Sequence, residues 1–71
     1  MGAKNDILSL VGINIREYRI KQKMSQNQLA FEAGVTREFV NKVESGKYNI
    51  SVKNLEKLAL ILEVEVKDFF I

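Results

Sequence analysis

The sequence predicts an all-α fold, a single compact domain of five helices, and three observations lead to this prediction. Apolar residues recur at helical spacing along most of the 71-residue chain. Good helix caps precede three of these apolar segments, and glycine follows two of them. Proline is absent, and glycine occurs only at positions 2, 12, 34 and 46, so little interrupts the helices.

The first helix is predicted from about Asp6 to Gln22. Its apolar positions at helical spacing are Ile7, Leu8, Val11, Ile15 and Tyr18. Gly12 lies inside this helix, where glycine costs about 1 kcal/mol relative to alanine, so the first turns are expected to be loose. Residues 1–10 are interpreted as an N-terminal extension without an assigned role.

The second helix, Gln26 to Ala33, has the clearest start signal in the chain. Ser25 is a favourable N-cap and Gln28 follows three residues later, which is the pattern of a capping box. Gly34 is expected to form the tight turn after this helix, because glycine accepts a positive φ without steric cost.

The third helix is predicted from Thr36, a suitable cap, to Ser45, with Gly46 as its stop. Val40 and Val43 point to one side, which is expected to be buried. An arc of roughly 140° on the opposite side contains Arg37, Glu38, Asn41, Lys42 and Ser45. We call these five residues the polar face of the third helix.

Ser51 is the predicted cap of the fourth helix. Its buried stripe is expected to contain Val52, Leu55, Leu58, Ala59 and Leu62. A short connection then leads to a last turn or two of helix, which forms the fifth element and ends in Phe69, Phe70 and Ile71.

The composition excludes several classes of protein. Without cysteine or histidine, the chain cannot form disulfides or a zinc site of histidine and thiolate, and we expect neither metal nor cofactor. An enzyme would have to use isolated Lys, Glu or Ser side chains, so none is predicted. The longest apolar run is Leu58 to Leu62, and no secretory signal is recognisable, which predicts a cytoplasmic protein.

Positive charge is concentrated in the middle of the chain. Residues 16–47 include seven basic and four acidic side chains, whereas residues 48–71 include three basic and four acidic ones. This bias favours a polyanionic partner for the middle segment, although an ordinary solvated surface would also account for it.

The polar face of the third helix suits the major groove of DNA, which admits an α-helix. Arg37 could donate two hydrogen bonds to guanine, Asn41 could pair with adenine, and Lys42 suits guanine or a phosphate. Glu38 could accept from cytosine or hold Lys42 four residues away. The alternative is that this face is only the solvated side of an amphipathic helix.

The segment "MSQNQLAFEAGVTREFVNKVESGK" resembles the helix-turn-helix of the Cro/CI-type family, which includes phage repressors and restriction–modification controller proteins. The resemblance extends back to "INIREYR" and on through "NISVKNLEKLALILEVEVKDFF". The specific matches are Gln26, Ala30, Gly34, Val40 and Val43, followed by "ESGK". Lys23 departs from the usual glycine and Glu65 from the usual serine cap. The resemblance implies a lambda repressor-like fold with the helix-turn-helix at 25–45.

This resemblance also assigns roles to individual residues. It implies that Thr36, Arg37, Glu38, Asn41 and Lys42 face the major groove. It also implies a partly buried salt bridge between Arg19 and Glu44. The predicted DNA-backbone contacts are Gln26, Thr36, Ser45, Lys47 and Asn49. Helix capping is the alternative role for Gln26, and neutralising the C-terminus of the third helix is the alternative for Lys47.

The last segment, 51–71, has more apolar residues than a small core requires. We predict a homodimer surface formed by Leu60, Ile61, Phe69, Phe70 and Ile71, unless the core itself uses them all. Two-fold symmetry would separate two recognition helices by about 34 Å, which matches a near-palindromic operator on double-stranded DNA. The predicted function is a sequence-specific transcriptional regulator. The alternative is an antitoxin-like or adaptor module that binds protein.

Overall fold

The computed structural model describes residues 6–71, which form four α-helices and one 3₁₀ turn. The helices are α1 (Asp6–Lys21), α2 (Gln26–Ala33), α3 (Arg37–Glu44) and α4 (Val52–Leu62). The 3₁₀ segment, Val66–Phe70, is called the C-terminal turn below. The expectation of five α-helices is therefore wrong in its last element, because five residues are too few for a stable α-helix.

Residues 6–10 of the supposed N-terminal extension belong to α1, and residues 1–5 lie outside the described part of the chain.

All three predicted N-caps are confirmed. In each case the side-chain hydroxyl accepts a hydrogen bond from the backbone N–H three residues later. The pairs are Ser25 with Gln28 at 3.0 Å, Thr36 with Phe39 at 3.0 Å, and Ser51 with Asn54 at 3.1 Å. Such a cap typically contributes about 1 kcal/mol, because it satisfies a helix N–H that has no partner within the helix.

The turn between α2 and α3 positions the two helices of the motif. Gly34 adopts φ 70° as predicted, and the N–H of Val35 donates to the carbonyl of Ala30 at 3.0 Å. This hydrogen-bonding pattern ends a helix within two residues, so α3 can begin at Arg37 and cross α2 steeply.

The core lies between all four helices and the C-terminal turn. Its buried residues are Val11, Ile15, Leu29, Ala30, Ala33, Val40, Val43, Ile50, Leu55, Leu58, Ala59, Leu62 and Phe69. Val52 does not join them, since it is 75% exposed. Val52 is the first residue of α4 and lies about 70° around the helix axis from the centre of the buried stripe.

Gly12 is buried where α1 crosses the last turn of α3. A Cβ at this position would collide with the carbonyl oxygen of Val43 and lie 2.7 Å from that of Glu44. Gly12 is therefore a contact point, because glycine permits two helix backbones to approach closely, and the expected looseness of the first turns of α1 stays a prediction.

The C-terminal turn packs against α1. The Phe69 side chain is completely buried, with its ring centroid 6.2 Å from that of Tyr18. Asn14 Nδ2 donates to the carbonyl oxygens of Phe69 at 2.9 Å and Ile71 at 3.1 Å. Phe69 is therefore part of the core, which corrects its predicted place on the dimer surface.

Within residues 6–71, Lys23 (φ 59°) and Glu63 (φ 62°) are the non-glycine residues with left-handed backbone conformation. Glycine is usual at the position of Lys23 in the family that the sequence resembles, and this φ explains that preference. Glu63 is the C-cap of α4, a position where glycine is also favoured.

Glu63→Gly is expected to raise the free energy of unfolding by about 0.5–1 kcal/mol, because it relieves the left-handed strain of a residue with a Cβ. Urea denaturation would measure this change. The control is Glu65→Gly, at φ −97°, where glycine relieves no left-handed strain. This substitution increases the freedom of the unfolded chain and also removes the side chain that caps the C-terminal turn, so it is expected to destabilise. If both substitutions change the free energy of unfolding in the same direction, strain at Glu63 is not the cause.

Candidate DNA-binding surface

The polar face of α3 is exposed along its whole length. Arg37, Glu38, Asn41, Lys42 and Ser45 are all open to solvent, whereas Val40 and Val43 on the opposite side are 1% and 2% exposed. No part of the described chain covers this face. It is therefore accessible to a large partner such as a duplex.

Glu38 is not held by Lys42. Among residues 7–71 the ion pairs are Arg19 with Glu44 and Lys67 with Glu65, so this structure contains no ion pair between Glu38 and Lys42. Glu38 lies in the first turn of α3, where a carboxylate interacts favourably with the helix dipole. Its other predicted role, accepting from cytosine, stays a prediction.

A buried ion pair fixes α3 against α1. Arg19 Nε donates to Glu44 Oε2 at 2.6 Å, and Nη2 donates to Oε1 at 3.0 Å. The two side chains are only 11% and 4% exposed. Two parallel charge-assisted hydrogen bonds restrict both distance and angle, so the pair orients α3 relative to α1.

The same pair extends to the start of α2. Arg19 Nη1 donates to the carbonyl of Met24 at 2.7 Å, and Gln26 Nε2 donates to Glu44 Oε1 at 3.0 Å. Glu44 is thus bonded to side chains of both α1 and α2. Gln26, a predicted backbone contact, uses one amide hydrogen for this bond, while Ser25 acts as the cap of α2.

Two other predicted backbone contacts, Thr36 and Ser45, form hydrogen bonds within α3. The Thr36 hydroxyl accepts from Phe39 N–H, which leaves its own hydrogen available to donate. The Ser45 hydroxyl donates to the Lys42 carbonyl at 3.1 Å, so in this rotamer it offers a phosphate no hydrogen.

The loop after α3 presents Lys47 and Asn49, and both are exposed. The sequence predicts no contact for the ring of Tyr48, which packs edge-on against Phe39 with the ring centroids 5.0 Å apart. Two aromatic residues nine positions apart give no local signal of this contact. The contact fixes the middle of the loop to α3.

The remaining predicted dimer residues differ in exposure. Leu60 and Ile71 are each 81% exposed and Phe70 is 40% exposed, whereas Ile61 is partly buried against the core. Leu60 on α4 and Phe70 and Ile71 at the C-terminus are together called the apolar patch below, a name that refers to their shared exposure and not to contacts among them. A monomer gains no stability from apolar side chains left in water.

In the described part of the chain, no group of three or more Asp and Glu side chains is arranged to hold a metal ion. None of the described helices combines the length and the apolar character needed to cross a bilayer.

Comparison with known families identifies the fold. The helix-turn-helix model HTH_3 matches residues 15–69, which include α2, α3 and α4 entirely and the second half of α1 from Ile15 onward. The chain belongs to this helix-turn-helix family. The resemblance predicted from the sequence is thereby confirmed.

Two restriction–modification controller proteins are among the similar proteins. The control protein C.BamHI of Bacillus amyloliquefaciens is 40% identical over 65 residues, which are 90% of this chain and 80% of that protein. The crystal structure of the controller C.AhdI from Aeromonas hydrophila is 40% identical with a TM-score of 0.84, over 89% of this chain and 96% of that one.

SinR, which occurs in Bacillus subtilis, is a third similar protein. Its structure in complex with DNA is 32% identical to this chain, with a TM-score of 0.79, over 83% of this chain and 95% of that one. Together with the four helices, these similarities support a lambda repressor-like fold.

Proposed function

We propose that this protein is a sequence-specific DNA-binding transcriptional regulator that binds a near-palindromic operator as a homodimer, with α3 in the major groove. The observation that supports it best is the exposed polar face of α3, held by the buried pair of Arg19 and Glu44. A rigid helix with an exposed row of donors and acceptors meets the geometric requirement for reading base edges.

Four residues of the polar face are proposed to read bases. Arg37 at the start of α3 donates to guanine O6 and N7, and Asn41 one turn later pairs with adenine. Lys42 contacts guanine or a phosphate, and Glu38 accepts from cytosine N4. The N-terminal end of a recognition helix usually enters deepest, which gives Arg37 the leading role.

The proposed backbone contacts surround these base-reading residues. Thr36 precedes α3 and has a free hydroxyl hydrogen, Gln26 begins α2, and Ser45, Lys47 and Asn49 lie at the end of α3 and in the following loop. Contacts of this kind set the register of a protein on the duplex and supply much of its affinity. Because its hydroxyl donates internally, Ser45 would have to change rotamer to donate to a phosphate.

The similar proteins support this function. C.AhdI is a restriction–modification controller protein, and SinR has been crystallised with DNA. The similarity covers 96% of the C.AhdI chain and 95% of the SinR chain in these structures. The family members named here are regulators, and we infer the same for this chain in place of an enzymatic role.

The apolar patch supports the homodimer. Its three side chains, with partly buried Ile61 beside Leu60 in the sequence, would be buried by a symmetric contact between α4 and the C-terminal turn of two copies. Sedimentation at tens of micromolar protein without DNA is expected to give a dimer. A strict monomer at that concentration would contradict this part of the proposal.

The alternative function is a protein-binding module. Phe31 on α2 is 86% exposed, and one SinR structure is a complex with the protein SinI. The polar face favours DNA over protein as the partner of α3, because protein-binding surfaces are usually depleted of charge at their centre.

Selection of bound duplexes from a random DNA pool tests the proposal as a whole. The expected result is an enriched sequence with two half-sites related by two-fold symmetry, their centres about one helical turn apart. An unenriched pool would exclude the regulator function, and a single asymmetric site would exclude the symmetric dimer on DNA.

Arg37→Ala is expected to weaken binding to the selected operator by about 1–3 kcal/mol and to relax the preference at one base pair. The reason is the loss of a bidentate contact to one base edge. Titration of the operator and of its variants at that base pair measures the effect.

The control for Arg37→Ala is Lys47→Ala, which removes one positive charge from the loop after α3 instead of from the reading helix. It is expected to weaken binding to all sequences alike and to reduce the salt dependence. If both variants have the same effect on operator and random DNA, the distinction between base and backbone roles is wrong.

A further inference from the structure

A recess of about 220 Å³ lies where α1, α2 and α3 meet. It is lined by Arg16, Gln26, Asn41, Glu44 and Ser45. Asn41 and Ser45 belong to the polar face of α3, so the recess opens at the edge of the proposed DNA-binding surface. Arg16 is the contribution of α1, and the sequence alone predicts no role for this residue.

The charge of the recess comes from Arg16. Glu44 also lines the recess, but two hydrogen bonds from Arg19 and one from Gln26 engage its carboxylate. Arg16 is exposed, and the ion pairs formed by the side chains of residues 7–71 do not include it. With Glu44 neutralised by Arg19, the recess has a net positive charge.

The other walls offer hydrogen-bond donors. The amides of Asn41 and Gln26 both have N–H groups, and Gln26 uses only one of them for its bond to Glu44. A guanidinium beside amide donors suits an anion with several acceptor oxygens, and a phosphodiester is such an anion.

We infer that Arg16 contacts the DNA backbone and that the recess holds a phosphate of the strand bordering the groove that α3 enters. This inference rests on the proposed function and extends it, because the first helix then takes part in binding beside the helix-turn-helix. A phosphate contact from α1 at the recess would also restrict the rotation of α3 about its own axis in the groove.

The test compares wild type, Arg16→Ala and Arg16→Lys on the selected operator and on random duplex over a range of salt concentrations. Arg16→Ala is expected to weaken binding to both duplexes by the same factor, about three- to tenfold near physiological salt. The slope of log binding constant against log salt should fall by about 0.9 for each bound protomer. Arg16→Lys keeps the charge and should keep the slope.

The matched control is Lys21→Ala in the same helix, an exposed residue whose Nζ lies 5.4 Å from the centroid of the Tyr18 ring. It also removes one positive charge, and its position is about 140° around α1 from that of Arg16, away from the recess. Wild-type binding and slope are expected for this variant.

Thermal melting of Arg16→Ala should match wild type, since Arg16 is exposed. One outcome is that Arg16→Ala keeps the wild-type slope of log binding constant against log salt while the wild type still prefers its operator. This outcome would overturn the inference about Arg16 but not the proposed function. If wild type shows no sequence preference but Arg16→Ala still reduces the slope on random DNA, the Arg16 contact stands and the proposed function fails.

Discussion

Glu44→Gln is expected to lower the free energy of unfolding by about 3–5 kcal/mol, the largest effect of any substitution considered for this protein. Glutamine keeps the shape of the side chain but removes the charge that compensates Arg19, which is 9% exposed. The guanidinium then stays buried without a counterion. Urea denaturation of both proteins at constant pH measures the loss.

The same substitution should reduce operator binding at temperatures where the protein is still folded. Arg19 and Gln26 both orient α3 through Glu44, so weakening these bonds lets the polar face move relative to α2. Operator affinity should fall more than affinity for random DNA, because base contacts depend on orientation more than phosphate contacts do. A Glu44→Gln protein that melts and binds like wild type would show that the pair has neither role.

The control for Glu44→Gln is the double substitution Arg19→Met with Glu44→Leu. When both partners of a buried ion pair are replaced by apolar residues, much of the stability is usually recovered. The double variant should therefore be more stable than Glu44→Gln. Equal destabilisation would indicate that packing at this site, and not the unpaired charge, is responsible.

Gly12→Ala is expected to destabilise the domain by about 2–3 kcal/mol, although alanine is the better helix former. The new methyl group would collide with backbone carbonyls of Val43 and Glu44, and backbone atoms cannot move aside as a flexible side chain can. α1 would have to separate from α3, so the pair of Arg19 and Glu44 would also be stretched. Thermal melting should show a decrease of roughly 10 °C or more for a domain of this size.

Helix propensity alone predicts the opposite sign for Gly12→Ala, a gain of about 1 kcal/mol. The matched control is Glu17→Ala, an exposed position in the same helix where alanine meets no backbone, and it should change stability by less than about 0.5 kcal/mol. A Gly12→Ala protein that is more stable than wild type would mean that α1 and α3 are not in close contact.

Local features of this fold could be predicted because their causes are local. Each N-cap joins residues three positions apart, and the left-handed turn at Gly34 depends on that residue alone, so the limits of α2 follow from the sequence. The polar face of α3 is equally local, since helical periodicity within eight residues separates it from Val40 and Val43.

The surface at the C-terminus could not be predicted in the same way. Leu60, Phe69 and Ile71 are all apolar, yet Phe69 is completely buried while the other two are 81% exposed. In a 3₁₀ turn of five residues, the sequence is too short for apolar periodicity to show which side chains face the core. The contact with Tyr18 on α1, distant in the sequence, decides it.

The sequence by itself determined where most helices begin and end and which side of α3 is polar, because those properties depend on residues within one or two helical turns. Only the tertiary structure decided that Gly12 is a contact point and that Arg16 lies in the recess beside the polar face. Both depend on how α1 crosses α3, which brings together backbone and side chains about thirty positions apart in the sequence. Periodicity along the chain contains no information about that crossing.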